Sequence, residues 1–145
     1  MTGEEYMERL RIVRRDIRLL MEQIARDTVL AQGVTAIRYD ADRVQTSPVA
    51  DRMADIVARI AEKTGTLYDR ITLLQGLEEE ARTKLLRLEV EHERVLVYRY
   101  FDEMSWAAIA NQMDYSEKHV FTIHARALAE LDPLVENAKY SEIAY

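Results

Sequence analysis

The feature that most restricts this chain is a repeat of apolar residues at alternating spacings of four and three. Tyr6, Leu10, Val13, Ile17, Leu20 and Ile24 keep it for nearly three heptads. That spacing puts them on one face of a helix, and such a face needs another helix to cover it. The pattern returns in Met53, Val57, Ile60, Thr64, Leu67, Ile71 and Leu74, and its phase runs on through Ala81, Leu85, Leu88 and Val95. Glu78 and His92 are its polar interruptions. Two seams of similar length predict an antiparallel helical hairpin, and the same seams would equally serve pairing between chains.

Composition agrees with long helices. Leu, Ala, Glu and Arg dominate, with only four Gly and two Pro in 145 residues. The first helix is expected from residue 4 to about residue 31, ended by Gln32 and Gly33. Residues 33–46, "GVTAIRYDADRVQT", have no helical stripe and several β-branched residues, and read as an extended connector. In "SPVAD", Ser47 is the expected N-cap, Pro48 the first helical position and Asp51 a first-turn acid. Gly76 is the expected kink or break in the second helix, with Glu78 to Glu80 opening a new first turn as a solvated acidic run. A third helix is expected over roughly residues 81–100.

Several functions are disfavoured. With no Cys, neither a disulfide nor a thiolate metal site is possible. His92, His119 and His124 lack zinc-site spacing, so no metal is expected. No Gly-rich phosphate loop or nucleophile elbow is present, and the carboxylates are scattered; neither an enzyme nor a cofactor is expected. "MTGEEYMERL" lacks the apolar stretch of a signal peptide, and the apolar runs are too short to span a bilayer. The expected setting is cytoplasmic, with no membrane partner.

Residues 100–131, "YFDEMSWAAIANQMDYSEKHVFTIHARALAEL", read as two short helices joined by a tight polar turn. Arg99, Tyr100 and Phe101 close the helix before them, and Asp102, Glu103 and Met104 turn the chain. Ser105 is the expected N-cap of Trp106 to Met113, where Trp106, Ile109, Ala110 and Met113 share a face. Asp114 and Tyr115 turn again, and Ser116 caps a helix from Glu117 to about Leu131. Val120, Ile123, Ala127 and Leu131 point inward. Lys118, His119, Thr122, Ala125, Arg126 and Ala129 form the outward arc, with Phe121 at its edge. A helix-turn-helix sets the N-terminal residues of its second helix against base edges. The candidate base contacts are therefore Lys118, His119 and Thr122. Arg126 is placed for a phosphate, and Ser116 for a phosphate as well as the cap.

Residues 95–131 resemble region 4 of bacterial sigma factors and the related domain of small phage regulators. The shared pattern is Arg99-Tyr100, Ser105-Trp106 before Ile109-Ala110, Tyr115-Ser116 opening the second helix, then Val120, Ile123-His124 and Ala127-Leu128. "VQTSPVAD" followed by a helical repeat extends the similarity to phage-encoded sigma-like late-gene regulators of the ArpU/RinA-like kind. The resemblance implies a sequence-specific, DNA-binding transcription regulator that engages RNA polymerase. The fold expected overall is all-α: a long N-terminal helical hairpin or coiled coil, then a sigma region 4-like helix-turn-helix. Its expected division is residues 1–76 for the hairpin and oligomerisation, 77–132 for DNA binding, and 133–145 as a tail.

Charge bears on the partner. The net charge is −6, and Tyr98 to Leu131 hold three cations (Arg99, Lys118, Arg126) against five anions (Asp102, Glu103, Asp114, Glu117, Glu130). Duplex affinity is driven by cations at phosphates, so a second copy, doubling the contacts, is expected: a homo-oligomer, with a dimer favoured. The competing reading is a protein-interaction module, binding RNA polymerase or serving in packaging as small terminase subunits do. Other conspicuous residues have plain readings. Trp106 is a core anchor, His124 a packing residue and His92 a polar register device. The face of Arg11, Arg14, Arg15 and Arg18 is ion-paired and solvated beside Glu4, Glu8 and Glu22.

Overall fold

A computed structural model describes residues 1–40 and 47–138. Every element among them is helical: α1 (Gly3–Asp40), α2 (Ser47–Leu85), α3 (Val90–Leu96), a π-helical turn (Val97–Phe101), α4 (Trp106–Met113) and α5 (Glu117–Val135). The all-α class with a C-terminal helix-turn-helix is as the sequence predicts. The contacts divide the chain into two units, Arg14–Leu73 and Met1–Val13 with Leu74–Tyr145.

In the unit Arg14–Leu73, α1 and α2 pair antiparallel. Asp27 meets Arg59 and Lys63, whereas Leu30, one turn later on α1, lines a cleft with Arg52, Asp55 and Ile56, earlier on α2. Ile17, Leu20 and Ile24 are half-buried, as are Met53, Ile60, Thr64 and Leu67. Two helices shield each other on one side only, so the seam keeps an open flank. The seam of α1 runs beyond its sequence-predicted end through Asp27, Ala31 and Val34. Asp27 is only 6% exposed, and Lys63 Nζ donates to its Oδ2 at 2.8 Å. That bond holds the Asp27 carboxyl below the usual carboxylate range against the opposing effect of desolvation. A charged pair at a seam position penalises every register that would separate it.

Five boundaries or positions differ from expectation. α1 does not stop at Gln32 and Gly33 but reaches Asp40, because buried Val34 prolongs the seam; residues 33–40 are helix, and 41–46 lie outside the described residues. α2 begins at Ser47, whose side chain lies outside the described residues, and passes Gly76 unbroken. Leu77, Ala81 and Leu85 are buried there. Burying even one leucine is worth about 2 kcal/mol, more than the ~1 kcal/mol that a helical glycine loses. The helix expected over 81–100 is instead cut at Leu86 to Glu89. There Arg87 and Leu88 amides donate to the Lys84 and Leu85 carbonyls, three residues back. On the second seam Ile56 (2% exposed) takes the place assigned to Val57 (53% exposed). Finally, α5 runs through Pro133 to buried Val135, past Leu131; residues 139–145 lie outside the described residues.

In the other unit, the first turns of α1 bury one face, with Glu4 and Glu5 left exposed. Thr2 Oγ1 accepts from the Glu5 amide at 3.1 Å while Glu5 Oε2 accepts from the Thr2 amide at 2.7 Å, a reciprocal capping box. Gly3 donates its amide to Asp132 Oδ1 on α5 at 2.5 Å. A Cβ on Gly3 would stand 2.6 Å from the Leu128 carbonyl oxygen, so only glycine permits this approach. Tyr6, Met7, Leu10 and Val13 are buried, and Tyr6 donates to Glu80 on α2 at 3.0 Å. Arg9 is buried with its guanidinium 3.9 Å from the Tyr6 ring centre and its Nε donating to the Tyr6 carbonyl. The first turns of α1 thus belong to the same compact unit as the helix-turn-helix.

Glycine substitutions separate these two situations. Gly3→Ala is expected to destabilise the protein by about 1–3 kcal/mol in urea denaturation, because backbone oxygen cannot yield to the methyl. Gly65→Ala, where a Cβ meets nothing within 4 Å, is expected to stabilise it by about 0.5–1 kcal/mol.

Candidate nucleic-acid interface

Local chemistry sets each end of α4 and α5. Ser105 is extended (φ −67°, ψ 158°), and its Oγ accepts from the Ala108 amide at 3.2 Å. α4 ends at Asp114, whose φ of 56° is left-handed. The Asp114 amide donates to the Asn111 carbonyl and the Tyr115 amide to the Ala110 carbonyl, the paired bonds of a Schellman close. Ser116 then caps α5, accepting from the His119 amide at 3.1 Å. Both predicted caps are present. The turn is pinned to α3 by a hydrogen bond from the Tyr115 hydroxyl to Glu91, which raises the Tyr115 pKa.

The inward faces form a single cluster: Val95 from α3, Ile109 and Ala110 from α4, Val120 and Ile123 from α5. Trp106 packs at its margin, partly buried. Its ring is the hub of an aromatic group: Phe121 lies 4.8 Å away, His124 4.8 Å away edge-on, and the Arg99 guanidinium 4.3 Å away. Arg99 also donates to the Met104 carbonyl at 3.0 Å. The π turn carries both Arg99 and Tyr100, and Tyr100 reaches His124 Nε2 at 3.0 Å. Burial, helped by Arg99, pushes the His124 pKa down to about 4. Burial, helped by Glu8 and Glu4, pushes Tyr100 up to about 12. Near neutral pH a protonated Tyr100 phenol and a neutral His124 imidazole therefore share this hydrogen bond.

Farther along α5, Glu130 accepts from His92 Nδ1 of α3 and from the Glu89 amide. His92 Nε2 lies 3.5 Å from Glu89. The residue that breaks the apolar phase of the sequence is thus a tie between α3 and α5. The capping box at Thr2 and the Gly3–Asp132 contact were not read from the sequence. The first has a local signal, Thr-x-x-Glu, and the second has none.

Ser116, Lys118, His119, Thr122 and Arg126 are all exposed, opposite the buried Val120, Ile123, Ala127 and Leu131. Lys118, Thr122, Arg126 and His119 span about 100° of arc at 3.6 residues per turn. Neither Lys118 nor Arg126 enters an ion pair among the described residues. The Thr122 hydroxyl donates back to the Lys118 carbonyl at 3.1 Å, which leaves its oxygen lone pairs free to accept. His119 stands edge-on to Tyr115 at 4.5 Å. Of the acids, Glu130 is turned toward α3, whereas Glu117 is exposed in the first turn, at the positive end of the α5 dipole. Among the described residues, no group of His, Asp or Glu could hold a metal ion, and no helix is long and apolar enough to cross a membrane.

Residues 85–132, about a third of the chain, match the family model described as Sigma-70, region 4. The span holds α3, the π turn, α4 and nearly all of α5, and so contains the whole helix-turn-helix. The helix-turn-helix of this chain is thus similar to region 4 of sigma factors. No curated protein matches the chain. No solved structure matches it either.

The buried imidazole gives a pH signature. Its folded pKa of about 4 lies below the ordinary 6.5, so between these values the unfolded chain holds a proton that the folded chain refuses. Stability therefore rises with pH across the window and falls as pH drops from about 6.5 to about 4. Urea denaturation at a series of pH values is expected to show a smaller fall in His124→Gln than in the wild type. Equal slopes would contradict this placement of the imidazole.

Proposed function

We propose that this protein is a sequence-specific transcription regulator that lays the exposed arc of α5 in the major groove of duplex DNA. The observation that carries the reading is the arc itself: Lys118, His119, Thr122 and Arg126 are exposed on a helix whose opposite side buries Val120, Ile123, Ala127 and Leu131. Lys118, His119 and Thr122 contact base edges near the helix start, where a helix-turn-helix approaches the bases most closely. Arg126 and the Ser116 hydroxyl hold phosphates. The region 4 match supports both DNA and RNA polymerase as partners, since domains of this type engage both. The layout of a sigma-like module after a long helical pair is that of phage late-gene regulators, and regulation of phage or prophage genes is the setting we assign.

Of the division expected from the sequence, 1–76 for pairing and 77–132 for DNA, we keep pairing for residues 14–73, because residues 1–13 pack in the unit of the helix-turn-helix. In a dimer, two copies of α5 double a small number of phosphate contacts and address two half-sites. The half-buried seam of the Arg14–Leu73 unit supports this, because its open flank remains for a second copy. The competing reading, a protein-interaction module, draws support from the net charge of −6 and from exposed Leu86 and Val90.

Fluorescence titration with mixed duplexes at two salt concentrations tests the reading. Binding is expected at low salt, with Lys118→Glu and Arg126→Glu each abolishing it and Arg14→Glu leaving it in place. Arg126→Ala, which removes one phosphate contact without reversing the charge, should weaken binding and lower the salt slope by about 1. A chain that ignores duplexes at low salt yet captures RNA polymerase is instead the interaction module. Light scattering on the full chain is expected to give two chains per particle, and a monomer would contradict the dimer.

A further inference from the structure

Phe121 is the large apolar residue that the packing of α5 leaves unexplained. It is 46% exposed, although Val120 and Ile123 on either side of it fill the core. Its ring rests on Trp106 at 4.8 Å, tilted by 50°, and Trp106 is backed by Arg99 at 4.3 Å. One side of the ring is braced by this stack while the rest faces solvent. Ala125, the next residue along that ridge of the helix, is exposed too, as is Ala129 one turn farther. The ridge therefore has an apolar side (Phe121, Ala125, Ala129) beside its polar one (Lys118, Thr122, Arg126). Residues 121, 122 and 125 lie in the first turns of the helix, the part that approaches base edges most closely.

Resting on the reading of α5 as a groove helix, we propose that Phe121 is a specificity-determining contact whose ring packs on the C5-methyl of a thymine. In the major groove that methyl is the apolar feature a base pair offers, and phenylalanine and alanine side chains are suited to it. Adenine, guanine and cytosine present donors and acceptors there, which a phenyl ring would desolvate without replacing their hydrogen bonds. The brace of Trp106 and Arg99 holds the ring before DNA arrives, so little side-chain entropy is lost on contact. An apolar contact also lets a chain of net charge −6 discriminate among sequences without adding cations. Ala125 extends the same preference toward a neighbouring base. The target site accordingly contains thymine where the start of α5 meets it.

The test is selection by the full-length protein from a random duplex library, followed by titration of the enriched duplex. A fixed thymine is expected in the enriched set. Replacing that thymine with deoxyuridine, which removes only the methyl, is expected to weaken wild-type binding about fourfold, the worth of one buried methyl group. Phe121→Ala should bind the thymine and uracil duplexes equally, while Phe121→Leu, still apolar and able to pack on Trp106, should keep part of the difference. Circular dichroism of each variant verifies the fold. Equal wild-type affinity for the two duplexes, or full discrimination retained in Phe121→Ala, would overturn the assignment while leaving DNA reading intact. No enrichment at all would overturn the reading of α5 itself, and this contact with it.

Discussion

The packing of Val120 and Ile123 against Val95 and Ile109 is the contact on which the rest of this structure depends. Each of these side chains, once buried, contributes about 1.5–3 kcal/mol relative to exposure. Together they fix which side of α5 is hidden and which faces outward. The far half of α5 is held by other means: the tie from Glu130 to His92 and Glu89, and the seat of Gly3 between Asp132 and Leu128. A helix held at both halves keeps its outward arc in a fixed orientation. Such pre-organisation is what base recognition requires of a helix.

Acidic charge counts against DNA binding, and what favours binding is where the cations sit rather than the balance of charge. Glu130 and Arg99 are engaged within the fold, and neither belongs to the outward arc. What remains on that arc is Lys118, His119 and Arg126, flanked by Thr122 and the apolar ridge of Phe121 and Ala125. Few cations imply modest phosphate affinity and place more weight on base contacts. The proposed second copy of α5 and the proposed apolar contact to thymine would both compensate in that direction.

The helix-turn-helix was legible because its signals are local. Ser105 and Ser116 each precede an amphipathic run, and a serine cap needs only the first turn of its own helix. The inward positions Val120, Ile123, Ala127 and Leu131 follow from the helical period alone. What the sequence misled on was settled by distant partners. Gly76 and Pro133 are helix breakers by propensity, but burial of Leu77, Ala81, Leu131 and Val135 carries the helix past them. The break at Leu86 to Glu89 has no Gly or Pro to announce it. The choice of Ile56 over Val57 depends on where α1 lies, which no period within α2 encodes. Of the candidate site, the exposure of Ser116, Lys118, His119, Thr122 and Arg126 was readable from the wheel. The brace that Trp106 and Arg99 give Phe121 was not, because it joins three elements.

The central claim is that duplex DNA meets the outward arc of α5, and amide chemical shifts report it directly. Titrating an isotopically labelled full-length chain with a duplex enriched from a random library should move the amides of residues 116–126 first and most. A duplex that leaves those amides in place while moving Leu86 to Glu93, or moves none at all, would contradict the account.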